Sequence, residues 1–136
     1  ALVEILHPTE GPLSRKSNDN SLVMRVSSGG TAFLFPGDLE AAGEQLLVSR
    51  SGSKLKSDVL LAPHHGSRSS SSRAFLEAVA PKACIISAGQ GNPFGFPSQE
   101  ILGRLKAQGC RTLRVDEVGA IEVSTAQGGF QIRTFR

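Results

Sequence analysis

Three short, wholly apolar runs set the terms for this chain: Ala32-Phe33-Leu34-Phe35, Val59-Leu60-Leu61-Ala62 and Ala83-Cys84-Ile85-Ile86. Each is too short for a buried helix and is bounded by proline, glycine or polar residues, which predicts strands. The first has no alternation of polar and apolar residues, so it is covered on both faces. Amphipathic stretches lie between the runs, Leu39–Leu47 and Arg73–Ala80, the second stopped by Pro81. Strand, helix, strand alternation of this kind predicts a mixed α/β fold. At 136 residues the chain is long enough for one domain with a real core and too short for two.

In chain order, Leu2–Leu6 is a strand delivering His7 and Pro8, and Thr9–Asn20 is a loop. Ser21–Val26 and Thr31–Phe35 are strands joined by a turn at Ser27-Ser28-Gly29-Gly30. The second of these breaks at Pro36-Gly37-Asp38, before the Leu39–Leu47 helix. Asp58–Ala62 is a buried strand that ends on Pro63-His64-His65-Gly66-Ser67. The tract Ser67-Arg68-Ser69-Ser70-Ser71-Ser72 is flexible by composition, and one of its serines caps the Arg73–Ala80 helix. Lys82–Ser87 is a strand, Ala88–Pro97 a glycine-rich loop, and Ser98 caps a helix that runs to Gln108 and is ended by Gly109. Arg111–Val115, Ala120–Ser124 and Phe130–Phe135 are meander strands closing a sheet, with turns at Asp116–Gly119 and Gln127–Gly129. The count is about eight strands and three helices in a single domain, residues 1–136.

Three strand ends carry His7, Asp38 and the pair His64/His65, all the histidines the chain has. In α/β folds ligands collect at the carboxyl edge of the sheet. Adjacent residues of an extended chain point to opposite sides, which gives His64 and His65 different roles. By spacing alone Asp38 is either the N-cap of the following helix or a carboxylate free to bind a metal. The glycines match no phosphate-loop or dinucleotide fingerprint, and no nucleophile elbow is present. A His/Asp set without a cofactor motif most naturally binds a divalent metal that activates water, and three ligands suffice for an open site. Cys84 and Cys110 read as small buried residues rather than a disulfide framework.

The charge is uneven. Of 15 Lys/Arg and 12 Asp/Glu, the first 50 residues hold 4 and 6, leaving 11 and 6 for the rest. Lys54, Lys56, Arg68, Arg73, Arg104, Lys106, Arg111, Arg114, Arg133 and Arg136 make a phosphate-facing surface one reading, beside solvated helix faces and strand edges. No apolar run approaches the roughly 20 residues that span a bilayer. The opening run Leu2-Val3-Glu4-Ile5-Leu6, without an initiating methionine, is expected to belong to something longer.

Gly37-Asp38 after an apolar strand, His64-His65-Gly66-Ser67 with its serine tract, and Ile86-Ser87-Ala88-Gly89 through Asn92 to Pro97 follow one another in an order that resembles the C-terminal metallo-β-lactamase-like domain of the ComEC family, the membrane DNA-uptake channels of natural competence. The resemblance runs from Leu6-His7-Pro8 through Asn18–Val23 to Asp116 and Gly119. It implies an αββα sandwich, here its C-terminal half, with metals at the sheet edge. It places metal ligands at His7, Asp38 and His64, with Asp38 bridging, and it makes Asp38 and His65 the catalytic residues. The superfamily's His-x-His-x-Asp-His loop is not in the chain and is expected upstream, so zinc or manganese is expected to be held weakly here. The related aromatic-Gly-His-Pro pattern reads Phe94-Gly95-Phe96-Pro97, without the histidine.

The function so implied is that of a metal-dependent nuclease-like domain acting on incoming DNA. It would sit at the extracytoplasmic face of the membrane, attached to the channel portion of a larger protein, with an exposed half open to self-association. A non-catalytic DNA-binding or bracing domain of the same channel is the alternative, and a stand-alone metallo-hydrolase of a small ester is a third.

Overall fold

Residues 1–136 are described by a computed structural model, in which the apolar runs become the middle of one large sheet. The elements are β1 (Leu2–His7), β2 (Val23–Ser28), β3 (Thr31–Phe35), α1 (Ala41–Ser51), β4 (Val59–Leu61), α2 (Arg73–Val79), β5 (Ala83–Ile86), α3 (Gln99–Ala107), β6 (Arg111–Arg114), α4 (Val115–Val118), β7 (Ala120–Ala126) and β8 (Gly129–Phe135). The first six strands form a sheet in sequence order, antiparallel from β1 to β3 and parallel from β3 to β6. A strand leaving the sheet through a helix and returning parallel must cross over one face, and α1, α2 and α3 all do so on the same side.

Strand alternation then divides the apolar residues between two layers. Leu34, Leu60, Cys84 and Ile86 face the helices and pack with Leu39, Leu47, Phe75, Leu76, Val79, Ile101 and Leu105 in the main core. Val59, Ile85 and Leu113 face the other way, against Ile121, Val123, Phe130 and Ile132 of the β7–β8 ribbon. The layers are thus helices, six-stranded sheet and two-stranded sheet, a fragment of the αββα sandwich. Cys84 and Cys110 are free thiols in the core.

Several expectations are corrected. The tail does not close one sheet, because β7 and β8 pair only with each other and bury their apolar sides on the back of the main sheet. The turn at Asp116–Gly119 is instead a helical turn, α4, so there are four helices. It is gripped by Arg114, whose guanidinium meets both Asp116 oxygens at 3.1 and 2.7 Å. The loop before β2 contains a 3-10 turn, Ser17–Asn20. Ser72 and Ser98 cap α2 and α3 as expected, each accepting the backbone N–H three residues on. The rest of the serine tract is not flexible: Ser70 and Ser71 are fully buried. No helix is long and apolar enough to cross a membrane.

Candidate active site

Strands β1, β3, β4, β5 and β6 point the same way, so the residues that follow them share one edge of the sheet. After β3 the chain turns at Gly37, whose φ of +63° suits glycine and whose missing Cβ would lie 3.1 Å from the Ser21 side chain. The turn is pinned twice: the His64 N–H donates to the Gly37 carbonyl at 3.0 Å, and the Asp38 N–H donates to Ser21 Oγ at 3.2 Å. Asp38 therefore has a fixed backbone and a half-exposed carboxylate.

Asp38 does not cap α1. That role falls to Asp19, a buried residue of the 3-10 turn, whose Oδ1 accepts the N–H groups of Glu40 and Gly43, each at 3.2 Å. A carboxylate reaching in from another segment satisfies the orphan amides of the helix start as well as a local cap does. The side chain of Asp38 is left to the cleft.

His64 and His65 are not extended. Both have left-handed backbone, φ +49° and +55°, so the pair forms a tight turn rather than a continuation of the strand. Such conformations cost a non-glycine residue about 1–2 kcal/mol and concentrate at functional sites. The two rings still do different things. His65 donates from Nδ1 to the Ser87 carbonyl at 2.8 Å, which turns Nε2 toward Asp38 Oδ1, 3.6 Å away. A carboxylate oxygen and a bare imidazole nitrogen both accept, so they face each other stably only with a proton on Nε2 or a cation between them. His64 stands 3.5 Å from Glu40 Oε1 through Nδ1, without hydrogen-bond alignment, and that buried nitrogen has no partner. Its ring lies edge-on to Phe96, centroids 5.7 Å apart.

Asp38, His64, His65 and Phe96 line a cleft of about 840 Å³ with Ser87, Ala88, Gly89, Asn92, Phe94 and Val115. His7 is not among them. It is buried at the end of β1, where its Nε2–H donates to the Asp19 carbonyl at 2.7 Å and its Nδ1 is left bare and unpartnered. The edge thus gathers Asp38, His64 and His65 and leaves His7 apart. No three His, Cys, Asp or Glu side chains are grouped to enclose a metal ion.

The serine tract after the histidines is held from below. Glu44 of α1 is completely buried and accepts the N–H of Ser71 at 2.6 Å and of Ser72 at 2.8 Å. Burial pushes its carboxyl above the usual range, against those amides and the Arg104 guanidinium. Ser70 Oγ donates to the Leu39 carbonyl, and the Ala41 N–H donates to the Ser69 carbonyl. Four of the basic residues are paired with carboxylates: Arg73 and Arg104 with Glu77 and Glu100 on their own helices, Arg114 with Asp116, and Arg133 with Glu122 of the neighbouring strand.

Sequence reasoning missed Glu40, Glu44 and Asp19. Their signal was faint: a second acid two residues after Asp38, an acid inside an amphipathic helix, and one in a polar loop.

The comparisons with known proteins follow this geometry. Residues 7–90 match the metallo-beta-lactamase superfamily, a span that includes Asp38 and all three histidines. The chain is 40% identical over 136 residues to Competence protein ComA of Neisseria gonorrhoeae, covering 98% of this chain and 19% of that one. It is 38% identical over 118 residues to ComE operon protein 3 of Bacillus subtilis, covering 87% and 15%. It is 34% identical over 133 residues to Recombination protein 2 of Haemophilus influenzae, covering 98% and 16%. The chain thus spans less than a fifth of the length of these relatives. With strands, helices and histidine–aspartate edge in place, the chain belongs to the metallo-beta-lactamase superfamily and is homologous to a short segment of ComEC-type competence proteins.

Proposed function

We propose that this domain acts on DNA entering the cell during natural transformation, as the metal-dependent nuclease-like part of an uptake channel, with Asp38 and His65 as its catalytic pair. The observation that carries this reading is the 3.6 Å approach of His65 Nε2 to Asp38 Oδ1, with the far side of the imidazole tied to Ser87. A ring held from behind by a carbonyl is oriented and made more basic, as a metal-binding or proton-transferring histidine requires.

The donor chemistry is that of a divalent cation of the zinc or manganese class, although the side chains do not close a three-ligand group around it. The Asp38 carboxylate, the unpartnered His64 Nδ1 and the bare His7 Nδ1 offer oxygen and imidazole nitrogen donors of the kind such ions take. Asp38 and His64 would hold it, with His7 the third member of the set that the family resemblance implies. When bound, such an ion polarises a phosphodiester and activates water. With Asp38 and His64 on the ion, His65 would keep Nε2 free to orient the phosphate and to move the proton.

The names of the competence relatives support the DNA-uptake role, and an extracytoplasmic position beside a membrane channel belongs to the same proposal. A second reading, a DNA-binding or bracing domain without catalysis, is favoured by one observation: Phe96 stands where the related pattern carries histidine. Cleavage of single-stranded DNA by the chain and by the full-length protein carrying it, with manganese or zinc, against Asp38→Ala, separates the two. Metal-dependent cleavage lost in the variant supports the nuclease; binding without cleavage supports the second reading.

A further inference from the structure

Beside the Asp38–His65 pair stands an aromatic row that nothing in hydrolysis calls for. Phe94 and Phe96 are stacked, centroids 5.5 Å apart and rings inclined by 22°. Phe96 meets His64 at 5.7 Å, and His64 meets His65 at 6.4 Å. The outer member, Phe94, is 72% exposed, the most of any large apolar residue in the chain.

The exposed ring is held, not loose. The Asn92 side chain ties the loop with four hydrogen bonds: its amide donates to the carbonyls of Gly89 at 3.0 Å and Phe96 at 2.7 Å, and its oxygen accepts the N–H groups of Phe94 at 3.1 Å and Phe96 at 3.0 Å. Gly91 and Gly95 flank it without side chains, and a Cβ at either would meet nothing within 4 Å. The backbone carrying Phe94 is therefore fixed, one face of its ring rests on Phe96, and the other is exposed at a cleft of about 840 Å³, within the size range that encloses a nucleotide-sized ligand.

We infer that Phe94 is a stacking platform for a base of single-stranded DNA whose adjoining phosphodiester lies at Asp38 and His65. The inference rests on the proposed DNA role and names the form of the substrate. A paired base keeps its faces inside the helix stack, whereas an unpaired base offers one to an aromatic ring. Stacking of this kind tolerates any base and is tuned by the ring's π-face, not by apolar area alone. Continuity of the row with the His/Asp pair distinguishes it from an apolar patch awaiting a protein.

The test uses the chain in EDTA, and again with manganese and a cleavage-resistant phosphorothioate backbone, with fluorescence anisotropy of 12-nucleotide oligo-dT, the same oligomer with abasic sites, and duplex DNA. The expected result is that Phe94→Ala weakens oligo-dT binding about fivefold to a hundredfold, that Phe94→Leu is nearly as weak, and that Phe94→Trp binds at least as tightly as the native chain. Abasic oligomer and duplex should be insensitive to all three. Equal binding by Phe94→Ala, or full binding by Phe94→Leu, overturns the platform while leaving DNA binding intact. No binding of any oligomer by the native chain, with or without manganese, overturns the DNA reading and this inference with it. Self-association that Phe94→Ala abolishes, with oligomer binding unchanged, assigns the ring to a second copy and also overturns it.

Discussion

Replacing Glu44 by alanine is expected to destabilise the domain by about 3 kcal/mol at neutral pH, although the residue touches neither the core strands nor the cleft. Its carboxylate is the only side-chain acceptor for the buried amide of Ser71 and the partly buried amide of Ser72. Truncation orphans both, at about 1–3 kcal/mol each, and opens a small void beneath the tract. Part of the loss is returned, since burial disfavours the ionised carboxyl that alanine removes. Glu44→Gln keeps one acceptor oxygen and should lose about half as much. Urea unfolding followed by circular dichroism gives the two values, with an unchanged m-value showing that only stability has moved. Native-state hydrogen exchange should show Ser71 and Ser72 protected in the native chain and fast in Glu44→Ala. A loss under about 0.5 kcal/mol, well below the penalty of one orphaned amide, or a Gln variant weaker than Ala, refutes the clamp.

Three other outcomes follow from the same geometry. At Gly66, with φ +82°, a Cβ would lie 2.7 Å from Pro97 Cβ, so Gly66→Ala should cost about 2–4 kcal/mol in urea unfolding. His65→Gly should be more stable than His65→Ala by about 1–2 kcal/mol, because both lose the ring and only glycine relaxes φ +55°. Stability should also be bell-shaped in pH. Glu44 is raised above 4.5 in the fold, so its contribution is greatest below that value and is lost as pH rises through the folded pKa. Asp58 is partly desolvated but held down overall by the Ala32 amide and Lys82, and Asp116 is held down by Arg114. Their contribution is present above 3.8 and lost as pH falls through their folded values. Thermal melts across pH 2–7 check both limbs, and Glu44→Gln should flatten only the upper one.

Much of the scaffold was legible because apolar runs ending on proline or glycine can hardly be anything but strands. Thr31–Phe35 was placed to the residue, and the carboxyl edge with Asp38, His64 and His65 followed from where those runs stop. Strand direction also brought His7 to that edge, but a strand end fixes only an edge, and the ring turned to the Asp19 carbonyl. The rest depended on partners distant in sequence. Asp38 looked like a cap until Asp19, 21 residues before Glu40, took the amides. The serine tract looked flexible because composition does not reveal a buried acid 27 residues upstream. The left-handed histidines were read as extended, since their conformation is imposed by the ties at Gly37 and Ser87 rather than by preference. The destination of β7 and β8 was hidden because a hairpin's sequence does not say which sheet it covers.

The central claim is that Asp38 and His65 work as one unit on a phosphodiester. It is tested most directly by a double-mutant cycle, Asp38→Ala, His65→Ala and both, on manganese-dependent cleavage of single-stranded DNA. Groups that act together lose nearly everything at the first substitution, so each single variant should fall almost to the level of the double. Losses that simply multiply, or a native chain that binds DNA and never cleaves it, would contradict the account.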